Sequence, residues 1–361
     1  MRIAIVHEWL ESYAGSERVL EQMLLAFPEA DLFALCDVLP EGERGFLQGR
    51  RPRVSFIQHL PFARRRFRHY LQLMPIAIEQ FDLSGYDVVL SSSHAVAKGV
   101  ITGPGQRHVS YIHSPMRYAW DLQAQYLREA GLERGLASLY TRWLLHRLRL
   151  WDHASAARPD VLVANSRWVA ERIRKCWGRQ AAVLHPPVAV DAFPLWREKE
   201  DYFLTASRLV PYKRVELIAE AFAGLPHLRL LIVGDGPQMA RVAAAAAGAP
   251  NITLLGRVAQ PDLVRLMQRA RAFVYAAEED FGIVMAEAQA AGTPVIAYAR
   301  GGAADIVRDG ETGILFPEQS VASLRAALAR FSGFDPEACR ANAQRFGEAR
   351  FRAALRELVS G

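Results

Sequence analysis

A chain of 361 residues, 51% hydrophobic and 23% charged with a formal charge of +6, is too apolar and too weakly charged to be disordered. It is long enough to favour two domains over one. Its 25 Gly and 19 Pro do not cluster, which excludes a low-complexity or collagen-like chain. The three cysteines, Cys36, Cys176 and Cys339, lie far apart with no C-x-x-C. They fit neither a disulfide framework nor a zinc site and point to a reducing compartment. The opening apolar run, broken by His7 and Glu8, is too short for a signal peptide. No stretch of roughly 18 apolar residues predicts a spanning helix. The expectation is a cytoplasmic protein whose only membrane contact is peripheral, on the inner face of the plasma membrane.

In chain order, residues 2–6 read as a buried strand. Residues 16–27 follow with Val19, Leu20, Met23, Leu24 and Phe27 at helical spacing. Further strands are expected at 32–36, 54–57, 88–91, 108–112 and 161–165, with helices between them. One long helix, about 133–156, carries Leu136, Leu139, Tyr140, Trp143, Leu144, Leu148 and Trp151. The charge is uneven: residues 1–190 hold 24 Lys+Arg against 18 Asp+Glu, while residues 191–361 hold 20 of each. The excess is densest between Arg50 and Arg68, where Arg50, Arg51, Arg53, Arg64, Arg65, Arg66 and Arg68 interleave with Phe56, Phe62, Phe67 and Tyr70. That mixture suits an anionic membrane surface or a phosphate-bearing acceptor; it also suits a solvated loop. No nucleic-acid-binding motif accompanies it.

The second half repeats the rhythm. Strands are expected at 202–206, 228–233, 252–255, 272–275, 295–297 and 313–316. Helices are expected at 215–223, 237–247, 261–270, 283–291, 301–308 and 321–332. Short apolar strands without polar alternation, separated by helices, indicate parallel sheets covered on both faces. The chain thus reads as α/β, with two Rossmann-like domains facing a central cleft. The X-Pro pairs at His185-Pro186-Pro187 make the best linker. The division expected is residues 1–187, residues 188–335, and a C-terminal helix over 336–361 packing back on the first domain.

Ligands of open α/β sheets bind beyond the carboxyl ends of strands, so the loops there carry the chemistry. The most informative runs from Glu279, Asp280, Phe281 and Gly282 through Ile283 and Val284 to Glu287. An acidic loop leaves a strand, and Gly282 opens a helix whose free N–H groups suit phosphate. Glu279 and Glu287, eight positions apart, suit hydroxyls at separate points of one ligand; an acidic helix cap is the plainer reading. After the first strand, Gly15 and Ser16 open a helix, with Ser16 also readable as its N-cap. Gly234-Asp235-Gly236 invites a dinucleotide reading, but Met239 stands where the third glycine of G-x-G-x-x-G belongs.

The 279–287 segment resembles the Glu-x7-Glu signature of the retaining glycosyltransferases of family 4, which have the GT-B fold. The similarity extends to Arg208 through Lys213, to Gly234–Gly236, to Gly301-Gly302 with Asp305, and to Asp309-Gly310-x-Thr312-Gly313. The resemblance implies that Arg208 and Lys213 neutralise the donor diphosphate and that Gly282, Ile283 and Val284 offer backbone donors to it. It implies that Glu287 accepts from the ribose and Glu279 from the transferred sugar. Gly256, Arg257 and Val258 would meet the base, Gly15 and Ser16 the phosphate, and His113 the donor sugar. Ala14 departs from the paired glycines frequent in that first loop. His113-Ser114-Pro115 with Arg117, Tyr118 and Trp120 is similar to the O-antigen and exopolysaccharide mannosyltransferase branch.

The function so implied is transfer of a hexose with retention from a nucleotide sugar to a lipid-diphosphate-linked or polysaccharide acceptor. GDP-mannose is the first donor expected and a UDP-sugar the alternative. No metal and no cofactor are expected, since fixed cations and a helix N-terminus can stabilise a leaving diphosphate. A GT-B isomerase or phosphorylase and a non-catalytic sugar-nucleotide-binding subunit remain as rival readings.

Overall fold

The computed structural model describes residues 1–361 and divides into two compact units, Met1–His185 with Phe351–Gly361, and Pro186–Arg350. Each is built on one parallel sheet.

The first unit holds β1 (Ile3–Leu10), β2 (Asp31–Asp37), β3 (Arg53–Val54), β4 (Val88–Ser93), β5 (Arg107–Ile112), β6 (Val161–Ala164) and β7 (Ala182–Val183), in the order β3-β2-β1-β4-β5-β6-β7. Ile5 pairs with Leu32 on one side and Leu90 on the other, which makes β1 the central strand. Strand order changes direction between β1 and β4. Such a switch point opens a crevice at the carboxyl ends of the two strands.

The second unit holds β8 (Phe203–Ala206), β9 (Leu230–Val233), β10 (Ile252–Gly256), β11 (Ala272–Tyr275), β12 (Val295–Tyr298) and β13 (Gly313–Phe316), in the order β10-β9-β8-β11-β12-β13. Its switch point lies between β8 and β11. Both faces of this sheet are covered: Phe203, Ile218, Phe222 and Ile232 pack on one side, and Leu204, Phe273, Met285 and Phe346 on the other. No helix of either unit is long and apolar enough to cross a membrane. The three cysteines are free thiols.

The structure departs from the sequence reading at several ends. β1 does not stop at His7 and Glu8 but runs through them, and both side chains are fully buried. The strand expected at 54–57 is only Arg53–Val54, because Ser55 Oγ accepts the Ile57 N–H and turns the chain into a short 3-10 helix, Phe56–His59. The helix expected over 301–308 shrinks to Ala303–Ile306. The single C-terminal helix expected over 336–361 is two, Pro336–Ala343 and Glu348–Ser360, separated at an extended Gly347. The first is bound to the second unit, where Asn342 donates to Gln289 at 2.5 Å and to the Ile306 carbonyl at 2.7 Å. Only the second reaches the first unit, through buried Phe351, Leu355 and Val359.

Candidate active site

In the second unit, the loops after the switch-point strands carry Arg208 and Lys213 after β8, and Glu279 to Gly282 after β11. Lys213 Nζ donates to Glu279 Oε1 at 2.5 Å and to Tyr275 Oη at 2.6 Å. Tyr275 Oη in turn donates to Glu279 Oε2. Burial first, and then the Glu279 carboxylate, raise the Tyr275 phenol well above its ordinary pKa, so it stays a donor. Two fixed donors thus set the orientation of one carboxylate.

The helix Ile283–Ala290 starts beside this carboxylate. Gly282 holds its N-cap with φ +83°, and a Cβ there would meet the Met285 methyl and stand 3.4 Å from Glu279 Oε2. The first-turn N–H groups of Ile283 and Val284 have no carbonyl within the helix to bond, and both residues are partly accessible. Glu287 is buried on the same helix.

Two glycine pairs shape these loops. Gly301 has φ +77°, and a Cβ on it or on Gly302 would collide with the backbone of Glu279 or Phe281. The Gly302 N–H donates to the Glu279 carbonyl at 2.8 Å, so the loop after β12 fixes the acidic loop from beneath. Gly234 and Gly236 play the same part for the Arg208 loop: side chains there would strike the carbonyls of Ser207 and Leu209. Leu209 N–H bonds Asp235 O at 2.9 Å. The Gly-Asp-Gly turn is therefore a steric rest for a neighbouring loop.

Arg208 is exposed, whereas Lys213 is nearly buried and ion-paired. The two expected phosphate cations are thus unequal: the charge of Lys213 is already offset by Glu279. Gly256 ends β10 with φ +65°, and its carbonyl accepts the Gly234 N–H at 2.8 Å. Arg257 beyond it is exposed, and Val258 packs on the core.

In the first unit, His113 follows β5, and Gly15 and Ser16 follow β1. The cap differs from the sequence reading. Ala14 is the N-cap, and Glu17 reaches back to its N–H at 3.1 Å while accepting from Ser16 Oγ at 2.9 Å. Glu17 Oε1 also lies 3.4 Å from His7 Nε2, His7 Nδ1 lies 3.1 Å from Ser92 Oγ, and Ser92 Oγ lies 2.9 Å from His113 Nε2. One chain of hydrogen bonds therefore joins the Gly15 loop to His113. Burial works against ionised Glu17, but the bonds from His7 and Ser16 outweigh it and hold its pKa below the ordinary value. Burial, with His94 and His7 nearby, pushes His113 down to about 3, so its ring is neutral at pH 7. Asn165 Nδ2 holds the His113 carbonyl at 2.9 Å.

Beside this chain, Glu8 accepts from Ser93 Oγ and from the N–H groups of His94, Ala95, Val96 and Ala97 at 2.8–3.1 Å. Burial opposes its charge, but His94 and those N–H groups keep its pKa below the ordinary value. A buried carboxylate so bonded fixes the end of β4, which carries Ser92, and the loop after it, which carries His94.

The structure therefore brings together Lys213, Glu279 and Gly282 in one unit, and His113 with the Gly15–Ser16 loop in the other. His7, Glu8, Glu17, Ser92, His94 and Tyr275 were not anticipated. A signal existed for some of them: His7-Glu8 is a polar pair inside an apolar strand, and Ser91-Ser92-Ser93-His94 closes β4. No group of three or more His, Cys, Asp or Glu side chains is arranged to hold a metal ion.

Two family profiles match the chain in succession: Glycosyltransferase Family 4 over residues 13–192 and Glycosyl transferases group 1 over residues 190–346. The D-rhamnosyltransferase WbpZ of Pseudomonas aeruginosa is 31% identical over 206 residues, 54% of this chain and 54% of that protein. The exopolysaccharide phosphotransferase SCO2592 of Streptomyces coelicolor is 34% identical over 189 residues, 48% of this chain and 20% of that protein. The match thus spans between a fifth and about half of these curated relatives. Among solved structures, Anabaena Alr3699/HepE in complex with UDP superposes with a TM-score of 0.68 at 15% identity, covering 100% of both chains.

Proposed function

Because the chain belongs to the glycosyltransferases of the GT-B fold, we propose that it moves a hexose, with retention, from a nucleotide sugar to a lipid-diphosphate-linked or polysaccharide acceptor of the cell surface. The observation that carries this reading is the Lys213–Tyr275–Glu279 triangle set against the N-terminus of the helix Ile283–Ala290. A carboxylate held by two donors accepts hydroxyls of the transferred sugar. The helix N-terminus beside it suits the diphosphate, with the N–H groups of Gly282, Ile283 and Val284 facing the phosphate oxygens. Arg208 supplies the unbalanced positive charge as the leaving diphosphate becomes more negative. Lys213 sets the carboxylate and completes that charge when phosphate enters.

Glu287 accepts from the ribose, and Gly256, Arg257 and Val258 meet the base, with Asp280 and Phe281 closing the acidic loop. In the first unit, the Gly15–Ser16 loop suits a phosphate oxygen, and the neutral His113 ring suits a hydrogen bond with a sugar hydroxyl. The leaving phosphate takes the acceptor proton on the face from which it departs, and the reaction on this reading uses fixed cations in place of a metal and needs no cofactor. The protein works in the cytoplasm, at the inner face of the membrane that carries its acceptor.

GDP-mannose is the first donor on this reading. The UDP complex of the Anabaena structural neighbour favours a UDP-sugar as the second. Thermal shift with GDP, UDP, GDP-mannose and UDP-glucose separates them. A ligand at about 100 times its Kd adds roughly 2.7 kcal/mol to stability, which is a rise of several degrees. If none of the four stabilises the protein, the nucleotide-sugar reading is lost.

A further inference from the structure

The helix Leu136–Ser155 lies on the first unit with Ser138, Leu145, Leu148, Asp152 and Ser155 turned inward. Its outward face is apolar as well. Leu136 is 85% exposed and Trp143 56%, and Leu139, Tyr140 and Leu150 are exposed with them. At helical spacing these five fall within an arc of roughly 100° opposite the buried one. A surface helix ordinarily presents polar residues there, and a contiguous apolar stripe signals an interaction surface.

The stripe has company. Tyr140 Oη donates to Gln72 Oε1 at 2.7 Å, which sets the helix beside the segment 56–73. That segment presents Phe62, which is 78% exposed on a left-handed backbone at φ +59°. A bulky side chain at positive φ is an uncommon and strained arrangement, and here it holds a phenylalanine out into water.

The charges around this surface are mostly positive, with exposed Glu129 and Glu133 standing just before the helix. Residues 59–78 and 134–150 contain eight arginines, Arg64, Arg65, Arg66, Arg68, Arg134, Arg142, Arg147 and Arg149, and no Asp or Glu. The broader basic stretch from Arg50 to Arg68 does not act as a whole. Arg51 pairs with Glu41 at 3.1 Å, Arg53 with Asp31 at 3.8 Å and Arg68 with Glu11, while Arg50 bonds the carbonyls of Leu47 and Pro28. Arg64, Arg65 and Arg66 remain exposed, as do Arg134 and Arg147 on the other segment.

We propose that this face, Leu136, Leu139, Tyr140 and Trp143 with Phe62 and Arg64–Arg66, docks flat on an anionic lipid bilayer. The rings and leucines enter the headgroup boundary, and the arginines meet lipid phosphate. An aromatic and aliphatic stripe flanked by arginines matches the boundary between headgroups and acyl chains. A second protein copy carrying the same cations would be repelled by them. The inference rests on the surface of the first unit alone and not on the transfer reaction.

The test is co-sedimentation of the full chain with vesicles of phosphatidylcholine, with and without 30 mol% phosphatidylglycerol, alongside light scattering after size exclusion. Wild-type protein is expected to bind the anionic vesicles, less so at high salt. The replacement of Arg64, Arg65 and Arg66 by Gln is expected to weaken binding roughly a hundredfold. L139S combined with W143S is expected to weaken it at least tenfold with an unchanged melting temperature, because both residues are already exposed. Equal binding by wild type and both variants overturns the proposal, as does equal binding to neutral vesicles. So does a dimer that L139S and W143S dissolve while no vesicle is bound, which would assign the stripe to a second copy. None of these readouts depends on turnover, so failure of the proposed transfer and failure of the docking surface are separate results.

Discussion

The hydroxyl of Ser92 lies 2.9 Å from Nε2 of His113, and it touches Nδ1 of His7 at 3.1 Å with the same oxygen. A hydroxyl has one proton, so it donates to one ring and accepts from the other. The carboxylate of Glu17 makes His7 Nε2 the donor in their contact. When His7 carries its proton on Nε2 alone, its Nδ1 is a lone pair, Ser92 donates to it, and His113 donates from Nε2. His113 thereby presents Nδ1 as an acceptor. Nitrogen NMR of the histidine rings is expected to show the Nε2–H tautomer of His113 at pH 8 and a mixture in S92A. One lost hydrogen bond of about 0.5–1.5 kcal/mol predicts a three- to tenfold loss of kcat/KM in S92A, restored by S92T. An S92A enzyme with wild-type kinetics and an unmixed tautomer would remove the relay.

The buried histidines also set an acid limit on stability. Burial lowers both His108 and His113 from an ordinary 6.5 to about 3. Between those values the unfolded chain binds the protons and the folded chain does not, so stability rises with pH there. The contribution is complete above pH 6.5 and is lost as pH falls toward 3. Glu8 and Glu17, held below the ordinary 4.5, add a loss of the same sign below that value. Two histidines predict that the unfolding free energy falls by roughly 2 kcal/mol per pH unit near pH 5. Urea titrations from pH 7 to pH 4 measure this slope, and H108N is expected to reduce it by about half. A flat profile would mean that these rings take up protons in the folded state.

The main elements of both sheets were legible because each strand is a short apolar run between helices, a pattern that only a covered parallel sheet satisfies. The loop carrying Glu279 and Gly282 was legible for a related reason: an acidic residue, a glycine and a helix start follow a strand end. What sequence could not show was pairing. That Lys213 neutralises Glu279, leaving Arg208 as the unbalanced cation, depends on a contact between residues 66 positions apart. His7 and Glu8 looked like breaks in a strand because buried polarity is recognisable only once partners such as Ser92 and the N–H groups of residues 94–97 are in place. The helix Leu136–Ser155 shows the same limit: helical spacing does not say which apolar residues are covered, and Leu136, Leu139, Tyr140 and Trp143 face water.

The glycines at 301 and 302 offer a steric test of how the acidic loop is held. A methyl at either position strikes the backbone of residues 279–281, and at Gly301 the backbone is also left-handed. G301A and G302A are each expected to cost about 2–4 kcal/mol in urea unfolding. They are also expected to loosen nucleotide binding, because the Gly302 N–H bond to the Glu279 carbonyl is displaced. Substitution of Gly105, which meets nothing within 4 Å, is the control and is expected to change stability by less than about 0.5 kcal/mol. Equal stability of all three variants would show that the loops are free to part.

Exchanging the Glu279 carboxylate for an amide separates its two roles. E279Q keeps the shape but removes the charge that offsets Lys213, which frees the ammonium toward phosphate. Nucleoside diphosphate affinity is then expected to hold or rise, while turnover falls by about 10²–10³, the size of losing one preorganised polar group at a reacting centre. K213M acts in reverse. It takes the ammonium away from a partly buried carboxylate, so both diphosphate affinity and turnover should drop. Calorimetry with the diphosphate and initial rates with the donor resolve the pair. If E279Q weakens diphosphate binding as much as K213M does, the carboxylate supports the phosphate site as a whole, and its assignment to the sugar fails.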